Sequence, residues 1–401
     1  MNSDELKMKK LGDMIACNPQ VKLEKGKMYN LVDIDSITIG NRYVAGKSPE
    51  LYNGQSGCHF ANGDTVMARI TPCLENGKMA QVKCESQVGF GSTELFVFRG
   101  VDGKSDSNYV YYLMSMPYIR QLAANSMTGA SGRQRADLDF IKKIEWKFPS
   151  LPIQKKIASI LSAYDNLIEN NNKRIKILEQ MAENLYKEWF VRFRFPGHET
   201  TPIENGIPKG WEYKRADEVI DFNPTIKIGD QKAFTIIPME ALSTSSMVID
   251  SNSLVNQETI SGRRSENGDT LLAKITPCLE NGKTGFVMGL PEGEVFGGST
   301  EFIVMRSKTL TPHFVYCIAR SQYFRQTAIL SMNGADGRQR VDENKLKSTK
   351  LLQPTKALLN HFEKIVSPLF ENISRLVKEN TNLIKQRDLL LPRLMSGKLA
   401  V

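Results

Sequence analysis

Two short segments carry side chains able to grip a polyanion or a base edge: Arg133, Gln134 and Arg135, and again Arg338, Gln339 and Arg340, each led by a glycine. A guanidinium bridges phosphate oxygens or meets the O6/N7 edge of guanine with two parallel hydrogen bonds, and a glutamine amide can do the same to adenine. Small neighbours (Ala130 and Ser131; Ala335 and Asp336) mark both segments as loops. The plainer reading is that these arginines pair with Asp137 or Asp342 and solvate a helix start; both readings stay open. A second set surrounds the phrase ITPCLENGK, which occurs at 70–78 and again at 275–283. Its ENGK end reads as a hairpin tip that delivers Asn76 and Lys78, or Asn281 and Lys283, off a sheet edge, the lysines suited to phosphate. Ser92 with Thr93, and Ser299 with Thr300, each follow a glycine and precede a strand. They suit looser polar contacts or simply form a turn. Arg69 and Lys274 differ inside two nearly identical phrases, which is where two copies of one surface could differ in what they contact.

Several chemistries lack their residues. The phrases NPQV and NPTI have neither the second proline nor the aromatic of a base-gripping methyltransferase loop, and GFGSTE has two glycines where a dinucleotide loop needs three. There is no P-loop, nucleophile elbow or HExxH. Six cysteines show no CxxC pairing and four histidines no HxxxH spacing, so neither zinc nor any other metal is expected. The cysteines read as small buried side chains. No catalytic residue and no bound cofactor are expected in this chain.

What positions the candidates is a duplication. NGDTVMARITPCLENGK (62–78) aligns with NGDTLLAKITPCLENGK (267–283), 205 positions on. Asn18-Pro19 and Asn223-Pro224 keep the same offset, as do the two GRQR segments, while GSTE (91–94 and 298–301) is displaced by two more residues. Length alone implies two or three domains. In each copy the alternation Val66, Ala68, Ile70, or Leu271, Ala273, Ile275, marks a half-buried strand; TELFVFR and TEFIVMR read as further strands; and Thr311-Pro312 opens a helix.

Each copy ends on a different pattern. Leu161, Tyr164, Ile168, Asn171, Ile175, Leu178, Ala182, Leu185 and Trp189 fall at spacings of three and four, as do Leu369, Ile373, Leu376, Asn380, Leu383, Arg387, Leu390 and Leu394. A helix with one such seam needs a partner helix, and two in one chain can serve each other. Asn171 and Asn380 would then set register. The expected fold is α+β: two similar mixed α/β domains separated by two long helices packed as an antiparallel coiled coil, a pseudo-two-fold internal repeat. The boundaries are 1–150, a first globular domain; 151–195, a long helix; 196–353, a linker and the second domain; and 354–401, a second long helix. A helix of about 38 residues rises roughly 55 Å, so paired domains on such a spacer suit a target made of two words with an unread gap.

The net charge of +9 agrees with a polyanionic partner without requiring one. The first residues lack an apolar secretory core and no apolar run reaches membrane length, so a cytoplasmic protein without a membrane partner is expected.

In combination, the order domain, helix, domain, helix, the paired ITPCLENGK, GSTE and GRQR phrases, IPKGW (207–211) and LLPRLMSGKL (390–399) resemble the specificity subunits of Type I restriction–modification systems. The resemblance implies a non-catalytic subunit whose two target-recognition domains each read half of a split site in double-stranded DNA. It also implies helices that act as a ruler and dock two methyltransferase subunits, with nuclease/translocase subunits completing the enzyme. S-adenosylmethionine and ATP/Mg would then sit on the partners. Similar domains, one reversed, would read words resembling an interrupted inverted repeat. A fused methyltransferase-specificity protein and a scaffold that binds no DNA are the competing readings.

Overall fold

In the structure, a computed structural model that describes residues 7–130, 132–228, 231–260, 262–289, 291, 293–335 and 337–401, the sequence repeat returns in the sheets of both copies, with β4 of the first left without a counterpart. The described chain divides into two units: residues up to 170 with 382–401, and residues 171–381. Ser131 and Asp336, beside the two GRQR segments, lie outside the described residues.

The first unit runs β1 (Lys7–Lys10), α1 (Leu11–Met14), β2 (Ile15–Cys17), β3 (Lys27–Val32), β4 (Tyr43–Val44), β5 (Pro49–Tyr52), β6 (Cys58–Ala61), β7 (Thr65–Ala68), β8 (Met79–Val82), β9 (Val88–Gly91), β10 (Leu95–Gly100), α2 (Ser107–Ser115), α3 (Pro117–Asn125), α4 (Leu138–Lys143), β11 (Glu145–Phe148) and the start of α5 (Leu151–Tyr186). One sheet has the order β2-β10-β7-β8-β4, a second β5-β3-β9-β6, and β1 pairs with β11. The strand expected at Val66 is β7, but it is buried along its whole length. The reason is that it has a core on each face: Met67 belongs to the one containing Phe96, Phe98 and Tyr112, while Val66 and Ala68 belong to the one containing Val32, Phe60 and Val97. Ile70 already lies beyond the strand.

The second unit contains the rest of α5, then β12 (Ile203–Glu204), β13 (Ile207–Pro208), β14 (Glu212–Arg215), α6 (Ala216–Val219), β15 (Ile220–Phe222), β16 (Phe234–Ile237), β17 (Val255–Gln257), β18 (Arg263–Ser265), β19 (Thr270–Ala273), β20 (Thr284–Phe286), β21 (Phe296–Gly298), β22 (Phe302–Ser307), α7 (Pro312–Arg320), α8 (Gln322–Leu330), α9 (Glu343–Ser348), β23 (Lys350–Gln353) and most of α10 (Lys356–Met395). Its sheets run β15-β22-β19-β20 and β17-β16-β21-β18, with β14 on β23, so each strand takes the place of its counterpart 205 to 207 residues earlier. The parallel pair β3–β9 is matched by the parallel pair β16–β21. β19 likewise separates two cores, Leu271 in one and Leu272 in the other.

The two long helices run antiparallel inside the second unit: Trp189, in the π-helical turn Lys187–Val191 that ends α5, stacks on His361 and Phe362 near the start of α10, and Asn171 meets Asn380 further along. Ile175 and Ala182 share a core with Phe370, Ile373 and Leu376. The two seam asparagines pair, Asn171 Nδ2 donating to Asn380 Oδ1 at 3.0 Å and Asn380 Nδ2 to Asn172 Oδ1 at 2.8 Å, so neither amide is buried without a partner. Within the first unit, Leu161 on α5 shares a core with Leu391 and Leu394 on α10.

A polar knot fastens those helices to the first unit. Arg387 Nη1 donates to Asp165 Oδ1 at 2.6 Å, Tyr112 donates to the other carboxylate oxygen, and Arg42 donates to Tyr112 Oη, Gln81 and Asn108 at 3.1, 3.0 and 2.7 Å. Positions 205 further on from Arg42, Gln81, Tyr112 and Asp165, in the second unit, hold Met247, Phe286, Cys317 and Phe370, all in its apolar core, while the position matching Asn108 is His313, which pairs with Glu363 at 2.7 Å. One fold is thus fastened by different chemistry in its two copies.

The stretch 192–211, whose Pro, Gly and Thr residues have the composition of a linker, is folded onto the second unit. Phe195 and Trp211 are buried against Phe190 and Phe193, and β12 and β13 form a short hairpin. Aromatic burial outweighs the turn-rich composition there.

Candidate nucleic-acid interface

Three phrases far apart in sequence meet in each unit. In the first, Ile70 bridges to Arg135, Thr71 N–H donates to Gln134 O at 3.0 Å, Ala136 N–H to Arg69 O at 2.8 Å, and Arg69 N–H to Glu94 O at 2.9 Å. Arg135 closes the set by clasping Glu94, Nε and Nη2 lying 2.9 and 2.6 Å from its carboxylate oxygens. The second unit repeats this: Ile275 bridges to Arg340, Thr276 to Gln339 at 3.0 Å, Val341 to Lys274 at 2.9 Å, Lys274 to Glu301 at 2.9 Å, and Arg340 Nε and Nη2 clasp Glu301 at 3.0 and 2.7 Å. Hydrogen bonds from these guanidinium groups hold the carboxyls of Glu94 and Glu301 below their ordinary range.

The GRQR segments are the outgoing arms of small hairpins. Thr128 and Arg135 exchange backbone hydrogen bonds at 3.1 and 3.0 Å, and Asn333 and Arg340 at 2.9 and 2.8 Å. The leading glycines, Gly132 and Gly337, both have φ of +80°, a conformation that favours glycine. At the tips Arg133 and Arg338 are exposed and hold no ion pair among the described residues. Gln134 and Gln339 are half-buried; their carbonyls are bound by Thr71 and Thr276, and their side-chain amides have no partner among the described residues.

The sequence candidates thus separate. Arg135 and Arg340 are engaged, and by glutamates of the GSTE phrases; Asp137 and Asp342 instead accept from backbone N–H groups at the starts of α4 and α9. Sequence reasoning passed over Glu94 and Glu301, although their place in a repeated phrase was the available signal. Ser92 and Ser299 accept from the N–H of those glutamates at 3.1 and 3.2 Å, a turn role, while Thr93 and Thr300 are exposed. The ENGK phrase does connect the antiparallel pair β7–β8, but not as an open tip. Asn76 N–H returns to Pro72 O and Lys78 N–H to Cys73 O, and Lys78 Nζ donates to Ile34 O at 3.1 Å. In the second unit Lys283 Nζ donates to Met239 O at 2.9 Å. Both lysines tie the turn to a neighbouring loop, leaving Asn76 and Asn281 exposed. Arg120 and Arg325 lie over Gly77 and Gly282 where a Cβ would stand.

Beside the first hairpin root lies a cleft of about 490 Å³ lined by Asn18, Lys22, His59, Arg69 and Thr93 among others. Asn18 is held at φ +48° while its Oδ1 accepts from Val97 N–H at 2.9 Å, and Asn223, at φ +54°, does the same with Val304 at 3.0 Å. The shared Asn-Pro phrase is therefore a clamp on the central sheet. Arg69 lies over the Phe96 ring at 4.9 Å. In the second unit Lys274 instead reaches Glu343 at 3.3 Å.

The family described as "Type I restriction modification DNA specificity domain" matches residues 3–180. The chain is 26% identical over 309 residues to the Type I restriction enzyme MjaIX specificity subunit of Methanocaldococcus jannaschii, covering 74% of this chain and 69% of that one. This chain is similar to the specificity subunits of Type I restriction–modification systems. The EcoEI specificity subunit of Escherichia coli is 30% identical over 132 residues, 32% of this chain and 22% of that one. The S subunit of a Type I system from M. genitalium shares the fold, with a TM-score of 0.55 at 14% identity over 98% of this chain and 97% of that chain. Among the described residues, no three His, Cys, Asp or Glu side chains group as metal ligands, and no helix is long and apolar enough to cross a membrane. The six cysteines are free; burial pushes the Cys17 thiol up to about 11 and that of Cys58 to about 12.

Proposed function

We propose that this chain is a specificity subunit that binds double-stranded DNA through both units, each reading one word of a split target, and does no chemistry itself. The observation that carries this reading is the twice-built hairpin, whose root is tied by an internal ion pair while its tip leaves an arginine and a glutamine uncommitted. Arg133, Gln134, Arg338 and Gln339 are the base-reading candidates; Arg69, Lys274, Thr93, Thr300, Asn76 and Asn281 flank them. Arg135, Arg340, Lys78, Lys283, Ser92 and Ser299 act by shaping those surfaces.

Residues 1–150 and 196–353 serve as recognition domains and 151–195 and 354–401 as spacers that dock methyltransferase subunits, in the cytoplasm. Those subunits would bring S-adenosylmethionine, and nuclease/translocase subunits ATP and Mg. Single-molecule sequencing of host DNA tests the proposal: a gapped motif containing modified adenine should vanish when this chain is deleted and return on complementation. Survival of every modified motif after deletion would refute it.

A further inference from the structure

The two heads share their hairpins almost letter for letter, yet the clefts beside the hairpin roots are chemically unlike. In the first unit, position 138 is Leu, packed against the apolar core, and position 58 is Cys. Among the described residues Arg69 holds no carboxylate directly: its Nε is buried with no hydrogen-bond partner there and its guanidinium rests on Phe96. In the second unit the matching positions are Glu343 and Arg263. Glu343 Oε1 accepts from Lys274 Nζ at 3.3 Å and Arg263 Nη2 at 3.2 Å, and its Oε2 from Asn223 Nδ2 at 2.9 Å. Its side chain keeps 26% of its exposure. A carboxylate offers about four lone-pair sites, so acceptor capacity remains.

We propose that Glu343 is a specificity-determining residue of the second head, and that the two half-words differ at the base pair facing position 69 or 274. Arg69 presents only donors and matches a base with two major-groove acceptors, which is guanine. Glu343 turns one donor each of Lys274 and Arg263 towards itself and adds an acceptor that the first cleft lacks, which matches the exocyclic amine of cytosine or adenine and opposes the O6/N7 edge of guanine. The contacts made by the arginine and glutamine that both hairpins share stay common to both words. A split target whose halves differ at the position facing Glu343 follows.

This inference rests on the DNA-reading proposal, and the experiment separates the two. The host carries the wild-type chain, Glu343→Leu, which restores the residue type of the first unit, or Glu343→Gln, which keeps size and hydrogen bonds without the charge. Methylated motifs are read by single-molecule sequencing, and the melting temperature of each purified full-length chain reports folding. A gapped wild-type motif establishes the DNA reading by itself. The expected result is that one base in one half-word changes or relaxes by tenfold or more in preference, the other half-word staying fixed. An unchanged motif in a folded variant overturns the role of Glu343, as does complete loss of methylation by a folded variant, which would make the residue a support for the cleft. If Glu343→Leu does not fold, Glu343→Gln alone decides by the same criteria.

Discussion

Arg387, on the last long helix, donates a 2.6 Å hydrogen bond to the carboxylate of Asp165, which is buried on the first long helix of the same unit. Burial works against the charge on Arg387, but the Asp165 carboxylate outweighs it and holds the guanidinium more firmly protonated than usual. Tyr112 and Arg42 complete the knot, whereas the repeat-equivalent positions of the other unit are apolar. The pair supplies orientation more than net stability, because both charges had to leave water.

Removing one partner is therefore expected to hurt more than removing none or both. Arg387→Met should lower the stability of the first unit by about 3–5 kcal/mol, since Asp165 is left charged and buried. Urea unfolding followed by tryptophan fluorescence checks this: Trp146 reports the first unit, and Trp189 and Trp211 the second, whose signal should hold its midpoint.

Much of this was legible in the letters and some was not, for physical reasons. Identical phrases at a fixed offset gave away the duplication, and heptad spacing gave both long helices and the seam pair Asn171 and Asn380, because burial in a helix leaves a periodic trace. Alternation located β7 but missed its second buried face, since a strand between two cores differs little from a half-buried one over four residues. Tertiary partners left weaker traces. That Lys78 would fold back on Ile34, or Arg135 choose Glu94 over Asp137, depends on which loops the sheet brings together. Glu343 had no twin in the first copy, so the repeat could not point to it.

At the hairpin tips, Arg133→Ala should weaken binding to the cognate target by about 1–3 kcal/mol, roughly fivefold to 150-fold, the cost of losing a bidentate base contact. Arg338→Ala should relax the other half-word. Competition binding against scrambled duplex, with melting temperatures unchanged, distinguishes loss of reading from loss of fold.

At the hairpin root, Arg135→Ala should loosen the local structure more than the whole. The pair with Glu94 is partly exposed, so global melting should move by less than about 2 °C. Hydrogen exchange at the Thr128 and Arg135 amides should quicken clearly, and Arg340→Ala should do the same at Asn333.

The same pairs set a pH response. Because Glu94 and Glu301 have folded-state pKa values below their unfolded ones, their stabilising contribution is present above the ordinary carboxylate range and is lost as pH falls through the lowered values. Amide protection factors in both hairpins should stay constant from neutral pH to about 5 and fall only below the usual Glu range. Glu94→Gln should remove that acid transition from the first hairpin alone.

In the central sheet, Asn18→Ala should cost about 1–2 kcal/mol, through a lost hydrogen bond to Val97 and a left-handed backbone that alanine resists. Asn18→Gly should recover part of it, and chemical denaturation of the pair separates backbone from side chain.

Fastening each hairpin by its backbone and by the glutamate of a neighbouring phrase frees the solvent-facing letters from any duty to the fold. Such a projection is an exchangeable cassette: its wording can drift or be rewritten by design while the frame beneath is inherited intact.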